Sequence, residues 1–357
     1  MARSDAVWSE QGTTPDAIEA ALRQLLVKVH AANGNFVPAR VLNMIAFVDR
    51  EWSGEIANRL RGVGRYHASR LVVLAYEPLR ERLDARVMIA ADDEPAPGEL
   101  ALLRETVVVE IGDRHLDDLL TIADPLVVTD LPTLLWSPHG HHEIVAELLA
   151  LSQAVLLDSM DEPDAQEALD HAWALTGQAY VVDLAWLRST PWRERVAASF
   201  DPPWLRRELR TITSVTVRHH PSSTVAAMLL AGWMASRLDW QTGPLVAHGN
   251  ALVGKAHAGR SSIGRQDVTL RLEAAPELQV PGLEGLTLEM ASGRSLRLNR
   301  GSGGLHARSR DARGEEREWT IPGASRGETG VLGEGIRQAL LRDPTYVPAL
   351  TAARAML

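Results

Sequence analysis

DLAWLRSTPWRERVAASF, residues 183–200, stands between two halves of the chain that differ in pattern, and its reading organises both. Trp186 and Trp192 lie six positions apart. Between them Ser189-Thr190-Pro191 reads as a helix start, since a Ser or Thr N-cap accepts an orphan backbone N–H and Pro at the first helical position gives up only a donor the helix does not use. Glu194 falls near the third helical position, where its carboxylate is expected to close a capping box and to meet the positive end of the helix dipole.

Upstream of this stretch the acidic segment DSMDEPD, 158–164, reads as a linker, with Asp164 capping a helix to about residue 176. Before it, Thr14-Pro15-Asp16 opens a helix whose apolar Ile18, Ala21, Leu22, Leu25, Leu26 and Val29 recur at spacings of three and four, ending at Asn33-Gly34. RVLNMIAFV, 40–48, is apolar at alternate and intervening positions alike, as a strand covered on both faces is. A helix at 51–60 and a second buried strand at 71–75 complete a βαβ unit. Strands at 85–91 and 105–111 flank a Pro- and acid-rich turn, 92–98, which suits antiparallel neighbours. A helix at 114–122, a strand at 131–136, an amphipathic helix at 141–152 and a short strand at 154–157 close this half near residue 160.

Downstream, a strand is expected at 209–217 and a long apolar helix at 222–238, too short and too interrupted to span a bilayer. Residues 241–266, rich in Gly, Ala, Ser and His, read as a long and partly mobile connection. Segments 267–273, 286–290, 295–299 and 305–310 alternate polar and apolar residues between Gly-rich turns, the pattern of an antiparallel meander with one wet face. A last strand at 317–321, a helix at 328–341 and a short helical tail follow. The expected fold is therefore α/β, α+β in its second half. It has a domain at 1–160 with a largely parallel βαβ-type sheet, and a domain at 161–357 with an antiparallel meander and packed helices.

The chain has 357 residues, 45% hydrophobic and 23% charged, which suits two folded domains and excludes wholesale disorder. A net charge of -9 argues against a nucleic-acid binder that works by neutralising phosphates. The absence of cysteine removes disulfides, thiolate catalysis and Cys-ligated zinc. The N-terminus lacks the apolar core of a signal peptide, and no window reaches the ~18 apolar residues of a membrane helix, so a cytoplasmic protein with no membrane partner is expected. Ten Trp against three Phe and four Tyr supply either core volume or interface anchors.

Candidate chemistry is sparse. GNALVGKA, 249–256, has P-loop spacing as far as Lys255, but Ala256 stands where a magnesium-binding Ser or Thr belongs, and a flexible loop is the plainer reading. His139, His141 and His142 follow the strand at 131–136, where α/β sheets place ligand loops, yet Glu143 is the only nearby carboxylate and a polar helix start fits better. His219 and His220 shape a turn before Pro221. Arg61, Arg65 and Arg70, around Gly62 and Gly64, are candidates with Lys255 for binding an anion, although the spacing is not GxGxxG and a solvated turn is the simpler alternative. No cofactor, metal set or catalytic constellation is legible. A sugar-phosphate- or nucleotide-binding α/β protein, or an enzyme of unknown reaction, therefore stays open beside a binding module.

Three strings together resemble one family. The strand RVLNMIAFV is followed after a helix by RYHASRLVVL, then comes DLPTLLWSPHG, and then DLAWLRSTPWRERVAASFDPP with its TPWRE core. These are similar to signatures of the glucose-6-phosphate dehydrogenase assembly proteins, OpcA, over about residues 15–340. The resemblance implies a non-catalytic partner of glucose-6-phosphate dehydrogenase that favours its active form and feeds the oxidative pentose phosphate pathway. In members tied to thiol redox control it also implies a switch that a chain without cysteine cannot carry. On this reading Trp136, Trp186, Arg188, Thr190, Pro191, Trp192 and Arg193 are the candidates for partner binding or inter-domain packing, since Trp and Arg dominate hot spots.

Overall fold

The apolar run at 42–48 is buried at every position and has parallel neighbours on both sides. The computed structural model describes residues 6–32, 34–38, 40–64, 68–91, 101–261, 264–322 and 327–357. The chain clusters into two compact units. One comprises Met1–Leu157, Gln178–Val182 and Glu328–Leu341; the other comprises Asp158–Gly177, Asp183–Gly327 and Arg342–Leu357.

The first part of the chain lays down β1 (Ala6–Glu10), α1 (Pro15–Ala32), β2 (Phe36–Pro38), β3 (Leu42–Asp49), α2 (Ser53–Gly64), β4 (Ser69–Tyr76), β5 (Asp84–Ala91), β6 (Ala101–Ile111), α3 (Leu119–Ala123), β7 (Thr133–Trp136), α4 (His142–Leu148) and β8 (Ala154–Leu157). After α5 (Ala165–Thr176) comes β9 (Tyr180–Asp183), and the sheet runs β1-β5-β6-β4-β3-β7-β8-β9 with β2 beside β6. From β6 through β4, β3 and β7 to β8 the pairing is parallel, while β5 lies antiparallel to β6 and β1 to β5. The βαβ unit is thus β3-α2-β4, as the spacing predicts, and β5 and β6 are antiparallel neighbours; the turn expected at 92–98 lies outside the described residues. β1, β2 and β9 are additional strands of three to five residues, too short to show a period.

Buried polar groups pin this sheet. Asn43 is fully buried in β3, and its amide donates to the Val128 and Leu131 carbonyls (2.9 and 3.3 Å) and accepts from the Val128 N–H (2.9 Å), so the loop before β7 is tied to the central strand. Glu105 on β6 is equally buried. It accepts from Arg70 Nε on β4 (2.7 Å) and from Arg40 Nε, and Arg70 also donates to the Leu126 carbonyl (3.2 Å).

The second unit begins with α5 and continues through α6 (Leu184–Arg188), α7 (Thr190–Ser199), α8 (Pro203–Arg206), β10 (Ile212–His219) and α9 (Thr224–Arg237). Next come β11 (Trp240–Thr242), β12 (Val246–His248), β13 (Ala251–Ser261), β14 (Gly264–Ala274), β15 (Leu283–Met290), β16 (Ser295–Gly301), β17 (Gly304–Arg310) and β18 (Glu316–Pro322). The chain ends with α10 (Gly327–Leu341), which clusters with the first unit, and α11 (Tyr346–Arg354), which belongs to the second. The second unit's sheet runs β11-β13-β14-β10-β15-β16-β17-β18, with β12 beside β13. β15 to β18 form an antiparallel meander as expected, but the segment 267–273 expected to open it lies in β14, which β10 separates from β15, and only the β10–β14 pair is parallel.

The described residues of 241–266 are not a mobile connection: they hold the end of β11, all of β12 and β13 and the start of β14, while 262 and 263 lie outside the described residues. The small residues that suggested a loop have a packing reason. A Cβ on Gly254 would stand 2.6 Å from the Pro244 carbonyl oxygen and 2.7 Å from Leu245 Cδ2, because residues 244–245 pass directly over β13. Ala256 beside it is fully buried. One face of the sheet carries α9, buried along nearly its whole length, and α11 lies on α9. Their approach is close at Gly232, where a Cβ would meet the Ala349 carbonyl oxygen at 2.3 Å and the Ala353 nitrogen at 2.9 Å. Among the described residues no helix is long and apolar enough to cross a membrane.

Candidate functional site

Asp183 closes β9 and caps α6, and its carboxylate is enclosed by donors. One oxygen accepts from the Ala185 and Ser159 N–H groups (2.9 and 3.2 Å), and the other accepts from Ser159 Oγ (2.6 Å) and the Tyr346 hydroxyl (3.0 Å). Burial, followed by the charge of Asp158, pushes the Asp183 carboxyl up to about 6 against these hydrogen bonds. Asp158 itself pairs with Arg188 Nη1 at 2.6 Å.

The expected cap at Ser189 does not form. Ser189 is already in helical conformation and makes no side-chain cap, so α6 and α7 follow each other with one residue between them and no capping box closes. Its hydroxyl donates back to the Trp186 carbonyl (2.7 Å) and accepts from Arg193 Nε (3.0 Å), while Arg193 Nη2 donates to Thr190 Oγ1 (2.9 Å). Pro191 keeps its place in the first turn of α7. The Arg193 guanidinium lies over the Trp186 ring, 3.6 Å from its centroid, and the indole Nε1 donates to Asp343 Oδ2 at 2.8 Å. Burial lowers Arg193 to about 10, opposed by Asp343. Burial also works to raise Asp343, yet donors from Thr345 and Trp186 and the charge of Arg193 hold it below the usual carboxylate range. Tyr346 packs on Trp186 with centroids 5.6 Å apart.

Trp186, Arg188, Thr190, Pro191, Trp192 and Arg193 therefore gather in the second unit. Trp136 stands on β7 in the first, with the Arg59 guanidinium 5.8 Å from its ring. All three indoles are interior, at 2% exposure for Trp136, 2% for Trp186 and 4% for Trp192.

A second cluster forms at the carboxyl ends of the parallel strands. The chain leaves β3 toward β4 on one side and leaves β7 toward β8 on the other, so the loops after β3 and β7 part at a switch point, where open α/β sheets hold ligands. Asp49 ends β3 and meets His141 Nε2 at 3.0 Å and His139 Nδ1 at 3.5 Å. This carboxylate is 90 and 92 positions away from the two histidines, so sequence spacing offered only Glu143. The His141 ring rests edge-on against Phe47 and Tyr76, and its backbone takes the left-handed conformation (φ 57°) as α4 begins. Burial lowers His139. The Tyr76 hydroxyl donates to Asp113 and is pushed up to about 12 chiefly by that bond. Ser137, another nearby hydroxyl, donates to the Phe47 carbonyl at 3.3 Å.

Of the candidate anion ligands, Arg70 and Lys255 each face a carboxylate. Arg70 is held by Glu105 in the first unit, and Lys255 lies exposed on β13 in the second, 3.4 Å from Asp267. Arg61 falls in the last turns of α2, and Arg65 lies outside the described residues. GNALVGKA is turn and strand, with no helix after it to cradle a phosphate. His219 is buried and lowered by burial, its Nδ1 2.8 Å from the His220 carbonyl, and His220 Nδ1 accepts from the Ser222 N–H; both shape the turn as expected.

Comparison with known proteins places these features in a family. The chain is 30% identical over 120 residues to the OpcA protein of Synechocystis sp., whose name assigns it to the OxPP cycle, covering 32% of this chain and 25% of that protein. It is 32% identical over 121 residues to the OpcA protein of Nostoc punctiforme, covering 32% and 26%. The matches thus span about a quarter of the length of these relatives. Among solved structures, an oxidoreductase from Sinorhizobium meliloti aligns over 89% of this chain and 96% of its own at 12% identity and a TM-score of 0.49. Biliverdin reductase from Synechocystis aligns over 87% and 96% at 12% identity and a TM-score of 0.40. Likeness of that degree carries no conclusion about activity. Two family profiles match in tandem, both of them domains of a glucose-6-phosphate dehydrogenase subunit: its N-terminal domain at residues 61–173 and its C-terminal domain at residues 179–350. With both domains in order along one chain, the protein belongs to the OpcA family of glucose-6-phosphate dehydrogenase assembly subunits.

Proposed function

We propose that this chain is a non-catalytic assembly factor and allosteric activator. It binds glucose-6-phosphate dehydrogenase in the cytoplasm and favours its active form, feeding the oxidative pentose phosphate pathway. The observation that carries the reading is the tandem match to both domains of the dehydrogenase subunit family. The physical requirement is differential binding: a partner activates only by holding the active conformation or assembly more tightly than the inactive one, and a hundredfold preference shifts that equilibrium by about 2.7 kcal/mol.

In this reading the chemistry of the TPWRE segment serves the activator indirectly. Trp186, Arg188, Thr190, Pro191, Trp192 and Arg193 hold α6, α7 and the start of α11 as one rigid piece, and rigidity lowers the ordering cost of docking. Mixing the purified chain with the dehydrogenase tests the reading. A shared elution peak and a raised rate at low substrate support it; separate elution with an unchanged rate at micromolar concentrations removes it.

A further inference from the structure

The far end of the second unit's sheet carries a groove that the packing knot around Trp186 does not use. The end of α7, the segment through α8 and the strands β15 to β18 enclose about 390 Å³. Its apolar walls come from Phe200, Pro202, Leu205, Met290, Leu296 and Trp319. α8, which contributes Leu205 to the groove, presents Trp204 to solvent at 71% exposure. Exposing an indole to that extent costs hydrophobic free energy that a core position recovers, so an isolated monomer gains nothing from it.

Charge surrounds this apolar floor unevenly. Arg294, Arg310 and Arg317 line the groove, and Arg206, Arg207 and Arg210 lie on α8 and the turn after it. None of these guanidiniums enters a salt bridge among the described residues, in contrast to Arg308 on β17, which pairs with Glu316 and Glu318. The two acids at the groove are already supplied with donors. Glu208 Oε2 accepts from Ser292 Oγ (2.6 Å) and Thr211 Oγ1 (3.3 Å), and Asp311 Oδ1 accepts from the Arg313 and Glu315 N–H groups (2.8 and 3.0 Å). Arg195, one turn before the groove residue Ser199, keeps a buried Nε with no hydrogen-bond partner. A chain of net charge -9 thus concentrates arginines without salt bridges around an apolar slot, Arg317 among them with its guanidinium 5.8 Å from the Trp319 ring and Arg294 close enough to help hold Asp311 below the usual carboxylate range.

We propose that this groove is the docking surface for an acidic segment of the partner protein, one that sets an apolar side chain between Asp or Glu residues. The apolar side chain fills the slot between Leu205, Leu296 and Trp319, its carboxylates meet Arg294, Arg310 and Arg317, and Trp204 packs on the flanking residues. Arg forks suit carboxylates, and Trp and Arg are the residue types that dominate interface energies. The proposal rests on the reading that the partner is glucose-6-phosphate dehydrogenase.

The test measures the Kd of the full chain for the dehydrogenase at low and high salt, for the wild type, Trp204→Ala, the double variant Arg310→Glu/Arg317→Glu and the charge-reversal control Lys255→Glu. All the substituted residues are exposed side chains, Arg317 lying over the Trp319 ring, and unchanged thermal unfolding confirms folding. The expected result is a Kd raised about tenfold or more for both groove variants, with the salt dependence flattened in the arginine variant and Lys255→Glu within about twofold of wild type. Binding at wild-type strength by the groove variants overturns the docking assignment alone, as does an equal loss in Lys255→Glu. A wild-type dimer that the groove variants dissolve without loss of dehydrogenase binding assigns the groove to a second copy and also overturns it. Failure of the wild type to bind removes the parent reading and the groove with it.

Discussion

The guanidinium of Arg193 lies 3.6 Å from the centroid of the Trp186 ring while Arg193 Nη1 stands 3.6 Å from Asp343 Oδ2, the same oxygen that accepts from the Trp186 indole. Stacking, ion pairing and hydrogen bonding therefore converge on two residues seven positions apart and tie the α6–α7 segment to the chain just before α11.

Replacing Arg193 with alanine removes its charge from Asp343 and uncovers one face of the indole. The expected cost is about 2–4 kcal/mol in chemical denaturation. Arg193→Lys keeps the charge but not the planar fork, so it recovers less than half of the loss. A change below ~0.5 kcal/mol for Arg193→Ala contradicts the role given to this pair.

Asp183 sets a pH dependence whose sign follows from its raised pKa. Between the unfolded value near 4 and the folded value of about 6 the folded state binds the extra proton, so stability from this group is greatest below pH 4 and declines as pH rises through 6. Asp183→Asn keeps a carbonyl oxygen for the cap and removes the charge. Denaturation midpoints taken at pH 4 and pH 7 should show the wild type losing stability relative to Asp183→Asn, by up to ~3 kcal/mol. Parallel profiles for the two proteins argue against a perturbed Asp183.

Gly232 sits where α9 and α11 touch backbone to backbone. A methyl group there meets the Ala349 carbonyl oxygen at 2.3 Å, so Gly232→Ala must displace α11 despite the higher helix propensity of alanine. The expected loss is about 2–3 kcal/mol, with faster amide exchange across residues 346–354. A neutral or stabilising effect shows that the two helices can part cheaply.

Glu105 neutralises Arg70 and Arg40 inside the first unit. Removing it as Glu105→Ala strands two guanidiniums beside buried carbonyls and should cost about 3–5 kcal/mol, whereas Arg40→Ala, at the more exposed end, costs less. The same pairing predicts that inorganic phosphate leaves the melting temperature unchanged. Stabilisation by phosphate that disappears in Arg70→Ala restores the anion-binding reading of this arginine.

Much of the fold was legible because it follows the periods that burial imposes. RVLNMIAFV reads as a two-sided buried strand and is one, and the alternation in β15 to β17 reports a sheet with one wet face. What escaped has local causes. Gly254 and Ala256 imitate a loop because crossing chain, not flexibility, demands small side chains there. Ser189 imitates a cap because its hydroxyl is chemically suited to one, but Asp183 starts the helical run earlier and Ser189 is left bonding Trp186 and Arg193. The partners of His139 and His141 lay 90 and 92 residues away across the parallel β3–β7 pair, a distance over which sequence carries no contact signal without homologues. The exposed Trp204 was hidden among ten tryptophans whose burial composition cannot rank.

The central claim, that the chain activates a dehydrogenase without sharing in its chemistry, is tested most directly by the initial rate of glucose-6-phosphate dehydrogenase against glucose-6-phosphate concentration, with the chain titrated to and beyond equimolar. The account predicts a rate at subsaturating substrate that rises and then saturates at a fixed molar ratio, with no turnover by the chain alone. A rate curve that stays superimposed at every ratio, with the two proteins eluting separately, contradicts it.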